Sequence, residues 1–164
     1  MTDAIETTSK DPLDGLSGWL ILVGLGLVIS PLRIAFQIFP PLSEIFTSGA
    51  FEALTTPGSA AYHQFWAPII YGEIIVNAAM LTTWLYTGLL FFKKKRQFPR
   101  WFIGILLFTL TFIVLDATSI RLVLPSEPIF DPDTTRNLIR TFVTSIIWVP
   151  YMLVSKRVSR TFVC

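Results

Sequence analysis

Charged residues are scarce in this sequence. Only 15% of its 164 residues are Asp, Glu, Lys or Arg, whereas soluble domains contain about 25%. A chain of this size exposes much of its surface, and so few charges cannot cover that surface with polar groups. Apolar residues make up 52% of the chain, too many for a disordered protein. These figures exclude a soluble domain and a disordered chain, and they indicate a protein that is surrounded mostly by lipid.

Cysteine and histidine, on which many enzymes and metal sites depend, are almost absent. Cys164 is the only cysteine and the last residue, so neither an intrachain disulfide nor a prenylation box is available. His63 is the only histidine, and no neighbouring acid or cysteine completes a metal site or a Ser-His-acid relay. The net charge of +2 is too small to indicate nucleic-acid binding. We therefore predict no catalytic residue, metal or cofactor, and a protein that is not an enzyme.

Four apolar runs are each long enough to cross a membrane, for which a helix needs about 20 residues. The predicted spans are residues 16–39, 67–92, 101–124 and 134–154. The last helix should begin near Asp131 and Pro132, a favourable N-cap and first-turn pair. The first run is not a cleaved signal peptide, because an acidic leader precedes it and no small-residue cleavage site follows. The predicted fold is an all-α polytopic bundle of four transmembrane helices in one domain, residues 16–155, between a flexible leader (1–15) and a basic tail (156–164).

Two further features shape these helices. Apolar residues recur at approximately helical spacing over residues 42–54, which predicts a short helix lying on the outer leaflet, with packing against the bundle mouth or a lid over it as its possible roles. Pro31 and Pro150 lie inside the first and last spans, where each removes one backbone hydrogen bond. We predict a helix kink at each of these prolines.

The distribution of Lys and Arg predicts the orientation. Nine of them flank one side of the spans, whereas Arg136 alone flanks the other. The nine are Lys10, Lys93, Lys94, Lys95, Arg96, Arg100, Lys156, Arg157 and Arg160. Because cytoplasmic flanks are rich in basic residues, both termini should be cytoplasmic. These basic residues could also hold anionic lipid headgroups, although their role in setting topology is the commoner one.

Ionisable residues inside the spans are the candidate functional groups, since each costs about 2.5–3.5 kcal/mol to insert at mid-helix. They are Arg33, Glu73, Asp116, Arg121 and Arg140, and Asn77 shares a helix face with Glu73. All five charges fall on the outer side of the membrane midplane when each helix is given its predicted direction. We predict an interhelical network in which Asp116 pairs with Arg33 or Arg140. The network either fixes helix packing or lines a polar cavity that binds an anion or relays protons.

Several polar and proline positions resemble a family of small bacterial inner-membrane proteins, the domain of unknown function twenty-five sixty-nine. The similar stretches are residues 18–24, 30–33, 98–100, 148–151 and 155–158, together with Asp116. The resemblance implies a four-helix inner-membrane protein with both ends in the cytoplasm. It implies no activity.

Three functional hypotheses follow from the sequence. The first is a non-enzymatic accessory or assembly protein that acts through helix contacts with partners. The alternative is a small oligomeric transporter or channel that uses the charged cluster in the outer half of the bundle. A third is lipid-headgroup chemistry by Glu73 and Asp116 at the outer face. The predicted partners are the lipid bilayer and either further copies of this chain or a larger membrane complex, without nucleic acid.

Overall fold

Four long helices form the protein in the computed structural model, which describes residues 16–126 and 128–163. The helices in chain order are α1 (Trp19–Thr47), α2 (Ala50–Thr55), α3 (Trp66–Phe92), α4 (Phe98–Ile120), α5 (Pro132–Val154) and α6 (Lys156–Thr161). The long helices α1, α3, α4 and α5 are each long and apolar enough to cross a membrane. The described residues contain no strand. The predicted all-α bundle of four spans is confirmed, while the predicted leader lies outside the described residues.

Helix α1 is longer than predicted. It continues through Pro31 and then through Pro40 and Pro41 to Thr47, so that residues 42–47 belong to α1 and not to a separate surface helix. Proline fixes φ near the helical value, and the hydroxyl of Ser43 donates to the Pro40 carbonyl at 2.8 Å, which supports the helix beyond the two prolines. The chain turns at Gly49, whose φ of 77° is left-handed, and only the short helix α2 remains of the predicted one.

Helix α2 packs against the ends of α1 and α3. The ring of Phe51 lies 4.9 Å from that of Phe46 on α1 and 5.7 Å from that of Tyr71 on α3, measured between ring centroids. Helix α5 also continues through its proline, Pro150. The kinks at Pro31 and Pro150 stay a prediction.

The basic tail contains a short helix that the sequence analysis did not anticipate. Ser155 caps α6 by accepting a hydrogen bond from the Val158 amide at 3.4 Å. Val158 and Phe162, four residues apart, lie on one face of this segment, and both are buried. The predicted tail is therefore packed against the bundle and closes one end of it. We call this end, which also holds the loop between α3 and α4, the basic end.

Four buried aromatic side chains close the bundle at the basic end: Phe91, Phe98, Phe102 and Phe162. We call them the aromatic layer. Phe98 lies at its centre, with ring centroids 5.1 Å from Phe91, 5.5 Å from Phe102 and 4.5 Å from Phe162. Helix α1 approaches this layer closely, because a Cβ atom on Gly24 would lie 3.0 Å from the Phe91 ring. The layer thus joins α1, α3, α4 and the segment after α6.

The helices follow one another around the bundle. Helix α1 packs on α3, α3 on α4, and α4 on α5. Side chains at two levels connect α5 back to α1: the rings of Trp19 and Trp148 lie 6.3 Å apart, and Arg33 is hydrogen-bonded to Asn137. This order places α1 and α5 beside each other, opposite the α3–α4 hairpin.

The turn between α3 and α4 uses a left-handed residue that is not glycine. The amide of Lys95 donates to the Leu90 carbonyl at 2.9 Å and that of Lys94 to the Phe91 carbonyl at 3.0 Å, the pattern of a Schellman motif. Lys94 occupies the position that usually holds glycine, with φ of 51°. A side chain in this conformation is strained.

Replacing Lys94 by glycine should therefore stabilise the protein by about 1 kcal/mol, because glycine adopts the left-handed conformation without a steric penalty. Thermal unfolding in detergent micelles measures the effect. Lys94→Ala is the matched control, since it removes the same charge but keeps the Cβ atom. Equal stability of the two variants would contradict the strain at this position.

Candidate functional site

A cavity of about 310 Å³ lies between the four long helices, on the far side of the aromatic layer from the basic end. All four helices contribute to its wall, and Trp84 and Leu106 lie at its inner limit. The wall extends as far as Thr134 in the first turn of α5, so the cavity runs toward the end opposite the basic end. Helix α2 contributes no residue to the lining, and it therefore does not form a lid over this cavity.

The cavity brings together five of the six polar residues that the sequence analysis singled out inside the spans. They are Arg33 on α1, Glu73 and Asn77 on α3, Asp116 on α4 and Arg140 on α5. Arg121 does not line the cavity, because α4 ends at Ile120 and Arg121 lies exposed in the following turn. Asp116 and Arg121 are also separated by about 140° around the helix axis. The role of this group of residues stays a prediction.

The charges are sorted by sign across the cavity. Glu73 and Asp116 come from α3 and α4, which pack on each other. Arg33 and Arg140 come from α1 and α5, which the hydrogen bond between Arg33 and Asn137 connects. The cavity consequently has an acidic side and a basic side. Two like charges on one side of a cavity are unfavourable unless an opposite charge lies between them.

The predicted ion pair of Asp116 with Arg33 or Arg140 is absent from the described residues. Between described residues, the ion pair within 4.0 Å joins Arg136 and Asp133 at 3.8 Å, at the exposed start of α5. Arg33 instead donates from Nη2 to Oδ1 of Asn137 at 2.6 Å. Helix α5 lies beside α1 at this level and supplies the acceptor through Asn137.

Threonine hydroxyls add neutral polar groups to the wall. The hydroxyls of Thr109, Thr141 and Thr144 donate to the backbone carbonyls four residues earlier, at 2.7–2.8 Å. Because the proton of each hydroxyl is already used, its oxygen can act towards the cavity only as an acceptor. The wall therefore offers acceptors from α4 and α5 in addition to its four charged groups.

The first turn of α5 is fixed by the N-cap that the sequence predicted. The carboxylate of Asp131 accepts from the Thr134 amide at 2.7 Å and from the Thr134 hydroxyl at 3.0 Å. These hydrogen bonds favour the charged carboxylate and hold the pKa of Asp131 below its usual value. The cap thus stays intact at neutral pH and is lost as the pH falls through this lowered pKa. The cap positions Thr134 at the rim of the cavity that lies farthest from the basic end.

The predicted basic residues lie at the basic end, away from the cavity. An open basic pocket of about 820 Å³ is lined by Lys93, Lys95, Arg96 and Arg100, whereas Lys94 lies outside its lining. Lys156 and Arg160 are exposed on α6. Arg157 donates a hydrogen bond to the hydroxyl of Ser17, which ties α6 to the segment before α1. Within the described residues, no group of three or more His, Cys, Asp or Glu side chains could hold a metal ion.

Asn137 is the residue hydrogen-bonded to Arg33 in the cavity, and sequence reasoning missed it, as it did Thr109, Thr134 and Thr144. It lies three residues before Arg140, a spacing that places both side chains on one face of a helix. This spacing was available as a signal. It was missed because Asn137 lies near the start of the last span, where a polar residue is ordinarily a solvated one.

Four membrane-crossing helices around a polar cavity define the class of this chain, a multi-pass membrane protein. The family described as "Protein of unknown function (DUF2569)" matches residues 13–163. The chain therefore belongs to this family, as the resemblance of its polar and proline positions predicted. No curated protein and no solved structure shows significant similarity to it.

Proposed function

We propose that the protein is a non-enzymatic membrane protein whose cavity binds a small zwitterionic solute of the amino-acid type. The observation that carries this proposal is the distribution of charge around the cavity, with Glu73 and Asp116 on the wall formed by α3 and α4, and Arg33 and Arg140 on the wall formed by α1 and α5. A carboxylate placed between the two arginines relieves their repulsion, and an ammonium placed between the two acids does the same for them. One molecule that carries both groups satisfies both sides.

The size of the cavity and the geometry of its donors support a small solute. Small-molecule sites range from about 300 to 1,000 Å³, so a cavity of about 310 Å³ suits a molecule of amino-acid size. The side-chain oxygen of Asn137 accepts a hydrogen bond from Nη2 of Arg33 and so orients the guanidinium. The remaining N–H groups of Arg33 can donate to a carboxylate. The threonine oxygens of α4 and α5 are suited to accept from an ammonium group.

We also propose that the protein lies in a bacterial cytoplasmic membrane with both termini in the cytoplasm. Nine of the ten Lys and Arg residues that flank the predicted spans support this orientation. With four helices crossing alternately, the basic loop and α6 share one face of the membrane. The cavity then opens on the outer face, and its solute arrives from outside the cell.

The roles predicted from the sequence are related to this proposal in different ways. A transporter would use the cavity as its substrate site, and the aromatic layer would have to move for the solute to pass. In that case Arg33→Gln and Asp116→Asn should each abolish uptake into liposomes while the protein still folds.

An accessory or assembly protein would act through its lipid-facing helix surfaces, and this role stays a prediction. Lipid-headgroup chemistry at the outer face also stays a prediction.

Thermal stability in the presence of individual amino acids tests the proposal. A ligand that binds the folded protein stabilises it by about 2.7 kcal/mol at 100 times its dissociation constant. We expect at least one amino acid to raise the unfolding temperature of the purified protein in detergent, while ammonium acetate at the same concentration does not. Arg33→Gln and Asp116→Asn should lose this response.

Arg121→Gln is the matched control for this experiment, because Arg121 is an arginine near the same end of the bundle that does not line the cavity. This variant should respond as the unaltered protein does. The proposal would be wrong if no amino acid stabilised the protein, or if the response persisted in both cavity variants.

A further inference from the structure

A shallow apolar groove of about 380 Å³ runs between α3 and α4 on the outside of the bundle. Its lining residues are Ala79, Met80, Thr83, Arg100, Trp101, Gly104, Ile105 and Phe108. The groove follows α4 over nine residues, from Arg100 to Phe108, a length of about 12 Å. One leaflet of the hydrocarbon core is about 15 Å thick, so the groove extends over most of one leaflet.

The groove meets the basic pocket at Arg100, which lines both. Four cationic side chains surround the basic pocket, and neither lining includes an Asp or a Glu. The exposed rings of Tyr86 and Trp101 lie next to this junction, 5.1 Å apart in an edge-to-face arrangement. Such aromatic residues are typical of the level at which lipid headgroups begin. The apolar groove therefore ends in a cluster of positive charge at headgroup depth.

We propose that the groove and the basic pocket together bind one anionic phospholipid. One acyl chain lies in the groove along α4, and the phosphate lies in the basic pocket, where Arg100 can donate two parallel hydrogen bonds to it. A basic loop that only set the topology would need no apolar groove leading from it. A transmembrane helix of a partner could fill the groove, but it would leave the four cations without a counter-charge.

This lipid site is distinct from the proposed solute site, although Met80 lines both the groove and the cavity. The lipid site lies at the basic end on the lipid-facing surface, whereas the solute cavity lies inside the bundle beyond the aromatic layer. A fixed lipid here would brace the α3–α4 hairpin, the helix pair that carries Glu73 and Asp116. Arg100 and Gly104 do not line the cavity, so substitutions at these two residues should leave the solute site intact.

Native mass spectrometry of the purified protein tests the proposal. The probe is an equimolar mixture of phosphatidylglycerol and phosphatidylcholine with identical acyl chains, supplied in mixed micelles. We expect one molecule of phosphatidylglycerol to remain bound in preference to phosphatidylcholine. Arg100→Gln should reduce its retention about fivefold, the loss that corresponds to one basic residue at a membrane surface. Lys156→Gln removes a charge at the same end, outside both linings, and should have no effect.

The groove is tested separately with Gly104→Leu, which places a side chain in the groove where a Cβ atom has open space. Gly72→Leu is its control, since Gly72 also has open space but lies outside the groove. Gly104→Leu should release the lipid and Gly72→Leu should not. Equal retention of the two lipids would overturn the proposal. Release by excess inorganic phosphate with no effect of Gly104→Leu would also overturn it, as would a co-purified protein in place of the lipid.

Discussion

Replacing Phe98 by alanine should lower the free energy of unfolding by about 3 kcal/mol, at the lower end of the range for buried Phe→Ala substitutions. The side chain of Phe98 has 0% exposure and contacts aromatic rings of α3, α4 and the segment after α6. Lipid tails are as apolar as the ring, so packing, and not transfer from water, provides most of its stabilising effect. The backbone around Phe98 cannot collapse into the space without moving three elements at once.

Phe92→Ala is the matched control for this substitution. Phe92 lies one residue after Phe91 at the same end of the bundle, but 57% of its side chain is exposed. We expect this variant to change the stability by about 0.5 kcal/mol or less. Unfolding by sodium dodecyl sulfate in mixed micelles measures both variants. A similar loss of stability in the two would contradict the role of the aromatic layer as the packed closure of the cavity.

The positions of the spans could be predicted because lipid imposes a simple rule on sequence. A helix in hydrocarbon must satisfy its backbone internally and present apolar side chains over about 20 residues. Predicted spans 67–92, 101–124 and 134–154 begin and end within four residues of α3, α4 and α5. The exception is α1, whose predicted span ends at residue 39, before the prolines at 40 and 41. A proline pair removes hydrogen bonds but still fits helical geometry, so α1 continues to Thr47.

The helix in the basic tail could not be identified from hydropathy. Lys156, Arg157 and Arg160 dominate its composition, and a run of basic residues after a span is ordinarily a topology signal. The informative residues were the two apolar ones, Val158 and Phe162, at helical spacing. Whether such a short apolar face finds a packing surface depends on the tertiary structure.

The sequence indicated which residues to compare in the candidate site but not how they are arranged. Counting residues along each helix placed five charges in one layer, and Arg33, Glu73, Asp116 and Arg140 line one cavity, whereas Arg121 does not. Sequence reasoning paired opposite charges, because direct ion pairs are the usual way to stabilise charge in a membrane. The structure instead gives Arg33 a neutral partner, Asn137 on α5. Which side chain each charge contacts depends on how the four helices pack together, and that packing is not encoded in any single helix.

Accessibility of single cysteines to a membrane-impermeant thiol reagent tests most directly whether the cavity holds water and opens on the outer face. The cysteine thiolate is the nucleophile that attacks the reagent, and it forms readily in water but not in hydrocarbon. Cys164 is first replaced by serine, so that each variant carries one cysteine. Thr144→Cys places it in the cavity wall, and Val143→Cys places it one residue away on the exposed apolar surface of the same helix. Lys95→Cys serves as a control for the basic end.

In right-side-out membrane vesicles we expect the thiol of Thr144→Cys to react and those of Val143→Cys and Lys95→Cys to remain unmodified. In inside-out vesicles the Lys95→Cys variant alone should react. Protection of Thr144→Cys from the outside, or equal labelling of Thr144→Cys and Val143→Cys, would contradict a water-filled cavity between the four helices that opens on the outer face.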